Sequence, residues 1–207
     1  MAVLTVRRIR RLGVLDLSVL DEVGTDPRAT LPSLAIAGGS MLMLGVGGWL
    51  WWIASGLGDS RTVLIKSVLI GSLFSLALWL AWLLVVYIVL HRLTDVTINV
   101  ERLVRAAGMA SAPLALGLLM AVPMISFGVG LVAVGTWALT TQAAIERATG
   151  LNGRPVVIAN AAGFAVWAIA MSLLATSTNQ IAPGPFLAES IWDAVTTFDY
   201  AEVALGS

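Results

Sequence analysis

The chain has no cysteine and only one histidine, His91, in 207 residues. Without thiols there is no disulfide, no cysteine-ligated metal and no thiol nucleophile. A single imidazole also excludes a multi-histidine metal site. Charge is scarce: Asp, Glu, Lys and Arg make up 12% of the residues, against about 25% in a soluble domain. Twelve basic residues balance twelve acidic ones. The one basic cluster is Arg7–Arg11 near the N-terminus, so the charge footprint of a nucleic-acid binder is missing and no nucleic-acid partner is expected. The patterns HExxH and GxSxG, a phosphate-binding P-loop and a dinucleotide fingerprint are all absent. The expectation is a chain with no catalytic residue, cofactor or metal.

What is abundant is apolar surface. Hydrophobic residues make up 58% of the chain and the mean hydropathy is +0.93. These values point to an all-α polytopic membrane protein. One uncharged run lies between Arg28 and Asp59, and a second between Lys66 and Arg92. Each fits one helix, because about 20 residues cross the hydrocarbon. A third run, Arg105 to Glu146, holds no charge over forty residues. As one helix it would measure about 60 Å, twice the membrane core. It therefore divides in two, with the turn at "VPMISFG", where Pro123 interrupts the pattern and Ser126 and Gly128 permit a tight connection. A fifth span follows Pro155, which suits a first helical position. The expected spans are 33–55, 67–90, 106–122, 124–145 and 155–175. An interfacial segment, 1–30, precedes them and a tail, 176–207, follows. No acidic or basic residue falls inside these limits, and Pro113 interrupts the third span with a kink.

Lys and Arg set the expected orientation. With the N-terminus in the cytoplasm, Arg7, Arg8, Arg10, Arg11, Arg28, Arg92, Arg102, Arg105, Arg147 and Arg154 all fall inside, and only Arg61 and Lys66 outside. A four-span reading would strand Arg147 and Arg154 outside, so this asymmetry also supports dividing the third run. The expected location is the cell's inner, cytoplasmic membrane, with the C-terminus outside. An acidic and polar sequence follows "MAVLTVRRIRRLG", which argues against a cleaved signal peptide. Trp49, Trp51 and Trp52 cluster at the outer end of span one as an interfacial belt would, while Trp79, Trp82, Trp137 and Trp167 lie deeper.

The segment "RRIRRLGVLDLSVLDEVGTDPRAT" reads as two short interfacial helices. Asp16 or Ser18 would cap the second, Gly24 would end it, and Asp26 with Pro27 would start span one. Its arginines, with Val3, Val6, Ile9 and Leu12, suit an anionic membrane surface, so membrane lipids are an expected partner. In the tail, Leu187, Ile191, Val195 and Phe198 recur at helical spacing beside Trp192, with Glu189 and Asp193 on another face. This acidic amphipathic segment would either lie on lipid or dock on another membrane protein, with Trp192 and Phe198 as contacts.

Small residues recur at four-residue spacing: Ser67, Gly71 and Ser75 in span two; Gly108 and Ala112, then Gly117 and Ala121, in span three; Ser126 and Gly130 in span four; Ala161 and Ala165 in span five. Such spacing lets helices approach closely. With Pro113, these positions are the candidate contacts within the bundle or to a partner. Thr140, Thr141, Gln142 and Asn160 are the polar residues nearest the interior and read as interhelical hydrogen-bonding groups. His91 reads as an interfacial residue beside Arg92, with Asp95 four residues on.

The stretches "LDLSVLDEVGTDPRAT", "VERLVRAAGMASAPLALGLLMAVP" and "GTWALTTQAAIERATGLNGRPVVIANAAG" resemble the YIP1 family of five-span membrane proteins, in its short bacterial form. In that family a short polar helix enters a span through small residues and Ala-Pro, matched by Ala110, Ala112 and Pro113. A proline ends the third span, as Pro123 does, and the fourth carries a tryptophan, matched by Trp137. The resemblance covers roughly Arg10 to Ala175 and implies a non-catalytic membrane role. The long cytosolic region of the family's eukaryotic members, which contact small GTPases, has no counterpart here. The function expected is a scaffold or accessory subunit binding other membrane proteins, with a large membrane complex as one setting; the alternative is a transporter or channel for a small solute. An intramembrane enzyme ranks last, for want of a nucleophile–base pair.

Overall fold

The computed structural model describes residues 2–54 and 60–175. Every regular element among them is helical. Five helical stretches are long and apolar enough to cross a membrane: Pro27–Ala54, Leu64–Leu93, Val100–Ala121, Pro123–Thr149 and Arg154–Leu173. The chain is an all-α multi-pass membrane protein.

α1 (Ala2–Gly13) and α2 (Ser18–Thr25) form a hairpin. The end of α1 is a Schellman turn: the Leu15 N–H donates to Leu12 O at 2.9 Å, and the Asp16 N–H to Arg11 O at 3.0 Å. Leu15 holds the left-handed position with φ +62°, which normally falls to glycine. Leu17, rather than Asp16 or Ser18, holds the N-cap position of α2, and Asp16 accepts from the Ser18 backbone N–H at 3.1 Å. α2, however, continues through Gly24 to Thr25. Gly24 does not terminate the helix; its missing side chain makes room for Arg102, whose Cγ would lie 3.2 Å from a Cβ there. Asp26 accepts from the Arg28 N–H and Pro27 opens the next turn, leading into α3 (Thr30–Ala54).

Span two consists of α4 (Ser60–Val63), a π-helical segment (Leu64–Ile70) and α5 (Gly71–Leu93). Span three joins α6 (Val100–Ala110) to a ten-residue 3₁₀ segment (Ala112–Ala121). α7 (Ser126–Thr149) and α8 (Arg154–Ala175) complete the bundle. Gly150 (φ +72°) and Gly153 (φ +80°) form the short link between them.

Span three departs from expectation in two ways. It begins at Val100, six residues early, so Glu101, Arg102 and Arg105 lie within the helix rather than before it. The cause is local: Asn99 accepts the Arg102 N–H at 2.9 Å and caps α6. The second departure is the change to 3₁₀ geometry at Pro113. Proline has no N–H to donate and its ring collides with the carbonyl one α-turn back, so the chain winds tighter and rises faster. The sixteen residues Ala106–Ala121 would cover about 24 Å as α-helix. With the 3₁₀ segment rising about 2 Å per residue they cover about 30 Å, the hydrocarbon thickness. The proline thus lets a short segment span the membrane core.

Span three is also the centre of the bundle. Of its most apolar stretch 61% is buried inside the protein, against 33–39% for the other four spans. It packs between α3 and α7, while α5 pairs with α8.

Candidate functional site

The expected small-residue positions are mostly consumed inside the bundle. Ser67, Gly71 and Ser75 are buried, and the adjoining Ser72 hydroxyl donates to Met41 O at 3.2 Å. A Cβ on Gly45 of α3 would lie 3.2 Å from Val68 Cα, so backbones touch there. Gly108 faces Ser33: a Cβ would meet the Ser33 carbonyl oxygen at 2.7 Å and its Cβ at 2.9 Å. Gly117 and Gly47 meet where span three crosses α3, with Leu44 Cα 3.0 Å from a Cβ on Gly117. Ser126 and Gly130 are buried at the start of α7, and Ala112, Pro113 and Ala121 are half-buried. In α8, by contrast, Ala161 and Ala165 are exposed. The packing face is Val156, Ala159, Asn160, Gly163, Trp167 and Met171, and a Cβ on Gly163 would lie 2.8 Å from Trp82 O. Helical periodicity allows either face, and the bulk of Trp82 selects the one with glycine. Trp192 and Phe198 lie outside the described residues, as does the whole tail.

Of the interior polar residues, Thr140 and Asn160 donate to backbone carbonyls and Gln142 to a carboxylate one turn along its own helix. The Thr140 hydroxyl reaches Ala110 O at 2.8 Å, the carbonyl left free where α6 gives way to the 3₁₀ segment. Asn160 donates to Ala138 O at 3.2 Å, and Gln142 to Glu146 at 2.9 Å. Thr141, the Asn160 carbonyl oxygen and Ser75 are buried with no hydrogen-bond partner among the described residues. The Trp137 indole donates to Ser111 Oγ at 3.2 Å. Trp79, Trp82, Trp137 and Trp167 are all interior. Trp137 stands edge-on to Trp82 at 4.8 Å and to Trp167 at 5.0 Å, and Phe164 packs against Trp82 at 5.4 Å. The rings knit α5, α7 and α8 together by area and edge-to-face contact. His91 is exposed at the end of α5 and stacks on Tyr87.

The least expected feature is the charged end. The N-terminal hairpin is docked on the bundle: α2 buries Val19, Leu20, Val23 and Gly24 against α6 and α7. Arg8, nearly buried, bonds Glu22 at 2.9 Å and Asp26 at 3.0 Å. Arg11 bonds Asp16 and Glu22, both at 2.8 Å. Arg147 at the end of α7 pairs with Asp21 of α2. Arg102 donates to Arg147 O at 2.9 Å. Arg105 is buried: its Nε donates to Gly24 O at 3.0 Å, and its Nη1 reaches Glu101 at 3.2 Å and Thr30 Oγ1 at 3.4 Å. It ties α6 to the last turn of α2.

These contacts shift the carboxylates. Asp16 is held below its ordinary value by the Ser18 hydroxyl and then by Arg11. Glu22 is held low by Arg8 and then Arg11, against a burial penalty. Asp26 is held low by Arg8 and then by the Arg28 N–H. Arg11 is raised by its bonds to Asp16 and Glu22. The signal for this docking is present in the sequence: four carboxylates, Asp16 to Asp26, closely follow four arginines, Arg7 to Arg11. Opposite charges so close together pair more readily with each other than with lipid.

At the other end of the bundle, span three and α7 leave an apolar groove of about 530 Å³, lined by Leu116, Leu119, Met124, Ile125, Gly128, Val129 and Val132. Met124 is 96% exposed there.

No family model, no curated protein and no solved structure matches the chain.

Proposed function

We propose that the protein is a non-catalytic membrane scaffold or accessory subunit that binds other membrane proteins. The observation that carries this reading is the exposed apolar groove, where Leu116, Leu119, Met124 and Ile125 line one surface and are all exposed. The helix next to it is a 3₁₀ segment, whose poorer hydrogen-bond geometry gains from being covered. A helix of another membrane protein fits such a surface by side-chain packing. The small-residue stripes add little to this partner surface, because the bundle itself uses most of them.

A solute pathway finds less support. It would need Thr140, Thr141, Gln142 and Asn160 to line a water-filled cavity; Thr140 and Asn160 instead donate to backbone carbonyls and Gln142 to Glu146, while Thr141 is buried with no hydrogen-bond partner among the described residues. An enzyme would need a paired nucleophile and base, and His91, the only histidine, stacks on Tyr87 away from the interior. The proposal includes a cytoplasmic N-terminus in the inner membrane, supported by the arginine asymmetry, and membership of the YIP1 family, supported by the Ala-Pro entry and Pro123 end of span three. Purification from native membranes in mild detergent tests the reading. A reproducible stoichiometric partner is expected, lost on Met124→Glu; recovery only as a lone monomer would overturn it.

A further inference from the structure

We infer that the charged end of the bundle is an anionic-lipid-binding surface, with the outer face of α1 laid into the headgroup region. Formal charge is balanced over the whole chain, but the fold separates it. Asp16, Asp21, Glu22, Asp26 and Glu101 are taken up by Arg8, Arg11, Arg102, Arg105 and Arg147, and Glu146 accepts from Gln142. Five arginines at the same end, Arg7, Arg10, Arg28, Arg92 and Arg154, are exposed and have no ion pair among the described residues. Asp95 is the one exposed carboxylate there that is likewise unpaired among them. This end therefore carries a net positive charge, ten arginines against seven carboxylates, with the unpaired arginines facing outward.

Three of these arginines sit where an interfacial residue would. Arg28 precedes exposed Leu31 at the entry of α3, Arg92 precedes exposed Leu93 at the end of α5, and Arg154 opens α8. α1 repeats the pattern. Val3, Val6, Arg7 and Arg10 fall at helical spacing on one face and are exposed, while Arg8 and Leu12 on the opposite face are buried against the hairpin and bundle. Docking thus presents an outer face whose aliphatic stems can enter the acyl boundary while its guanidinium groups meet lipid phosphates. Arg8, Arg11 and Leu12, counted in the lipid-facing set from sequence, belong to the inner contacts.

Lipid binding at this end is tested independently of any protein partner. The chain has no cysteine, so Val6→Cys carries a single environment-sensitive fluorophore. The full chain is reconstituted in vesicles of phosphatidylcholine alone or of an equal mixture with phosphatidylglycerol, and quenching by a lipid-borne quencher is read. A probe at Gly135→Cys, exposed midway along α7, calibrates full immersion in both. Strong quenching at Val6→Cys is expected only with phosphatidylglycerol. Adding Arg7→Gln and Arg10→Gln should weaken the insertion equilibrium about 25-fold, at roughly fivefold per arginine. Equal quenching in the two lipids, or no response to the arginine substitutions, would overturn the inference.

Discussion

Gly108→Ala should loosen the centre of the bundle although it adds a single methyl group. A Cβ at Gly108 would lie 2.7 Å from the Ser33 carbonyl oxygen, 2.9 Å from its carbonyl carbon and 2.9 Å from its Cβ. Two of these three atoms are backbone and cannot rotate away, so α6 must withdraw from α3 by several tenths of an ångström. Overpacking of this kind costs about 1–3 kcal/mol, while alanine in place of a helical glycine returns about 0.5–1 kcal/mol. Gly135→Ala supplies the reference, because a Cβ there meets nothing within 4 Å and only the propensity gain remains. Both variants share that gain, so they should differ by the overpacking cost alone, about 1–3 kcal/mol. Thermal unfolding in one detergent, followed by far-ultraviolet circular dichroism, reads this difference. Gly108→Ala should melt several degrees below the parent and Gly135→Ala at or above it. Equal melting of the two variants would refute close backbone contact between α3 and α6.

Arg105→Met removes the donor to Gly24 O and leaves that carbonyl unpaired. It should destabilise by about 1–3 kcal/mol and increase hydrogen exchange in α2, read by mass spectrometry, while leaving the α5–α8 pair protected. Asp16, Glu22 and Asp26 have native values below their ordinary 3.8, 4.5 and 3.8, so their stabilisation is complete above the ordinary values and is lost as pH falls through the lowered ones. Spin labels at Arg10→Cys and Asn152→Cys should keep one distance from about pH 7 to pH 5, and the distribution should broaden below about pH 4; broadening already at pH 6 would contradict the assignment. Asn99→Ala should cost about 0.5–2 kcal/mol through the lost cap of α6. Leu15→Gly should raise the stability of the hairpin by about 1 kcal/mol by relieving the left-handed backbone; both are read by the same melting assay.

The class, the number of spans and the place where the long uncharged run folds back are legible in the amino-acid order alone. These follow from one-dimensional properties: the length of apolar runs against membrane thickness, and prolines that cannot continue a helix. Asp26 with Pro27, and the turn at Pro123, were legible because caps and breaks act on neighbours in the chain. Only the tertiary structure decided which face of each helix is buried, since the stripes at Ala161 and Gly163 are equally regular and Trp82 on another helix chooses between them. The same holds for charge. A balanced total says nothing of which arginines are paired: Arg8 meets Asp26 only once α1 folds back along α2, and Arg105 meets Gly24 only after α2 has docked on α6. Span three shows both limits together: its low charge and its proline were visible in the sequence. That it stands at the centre, and crosses by switching to a 3₁₀ rise, depends on the neighbours that enclose it.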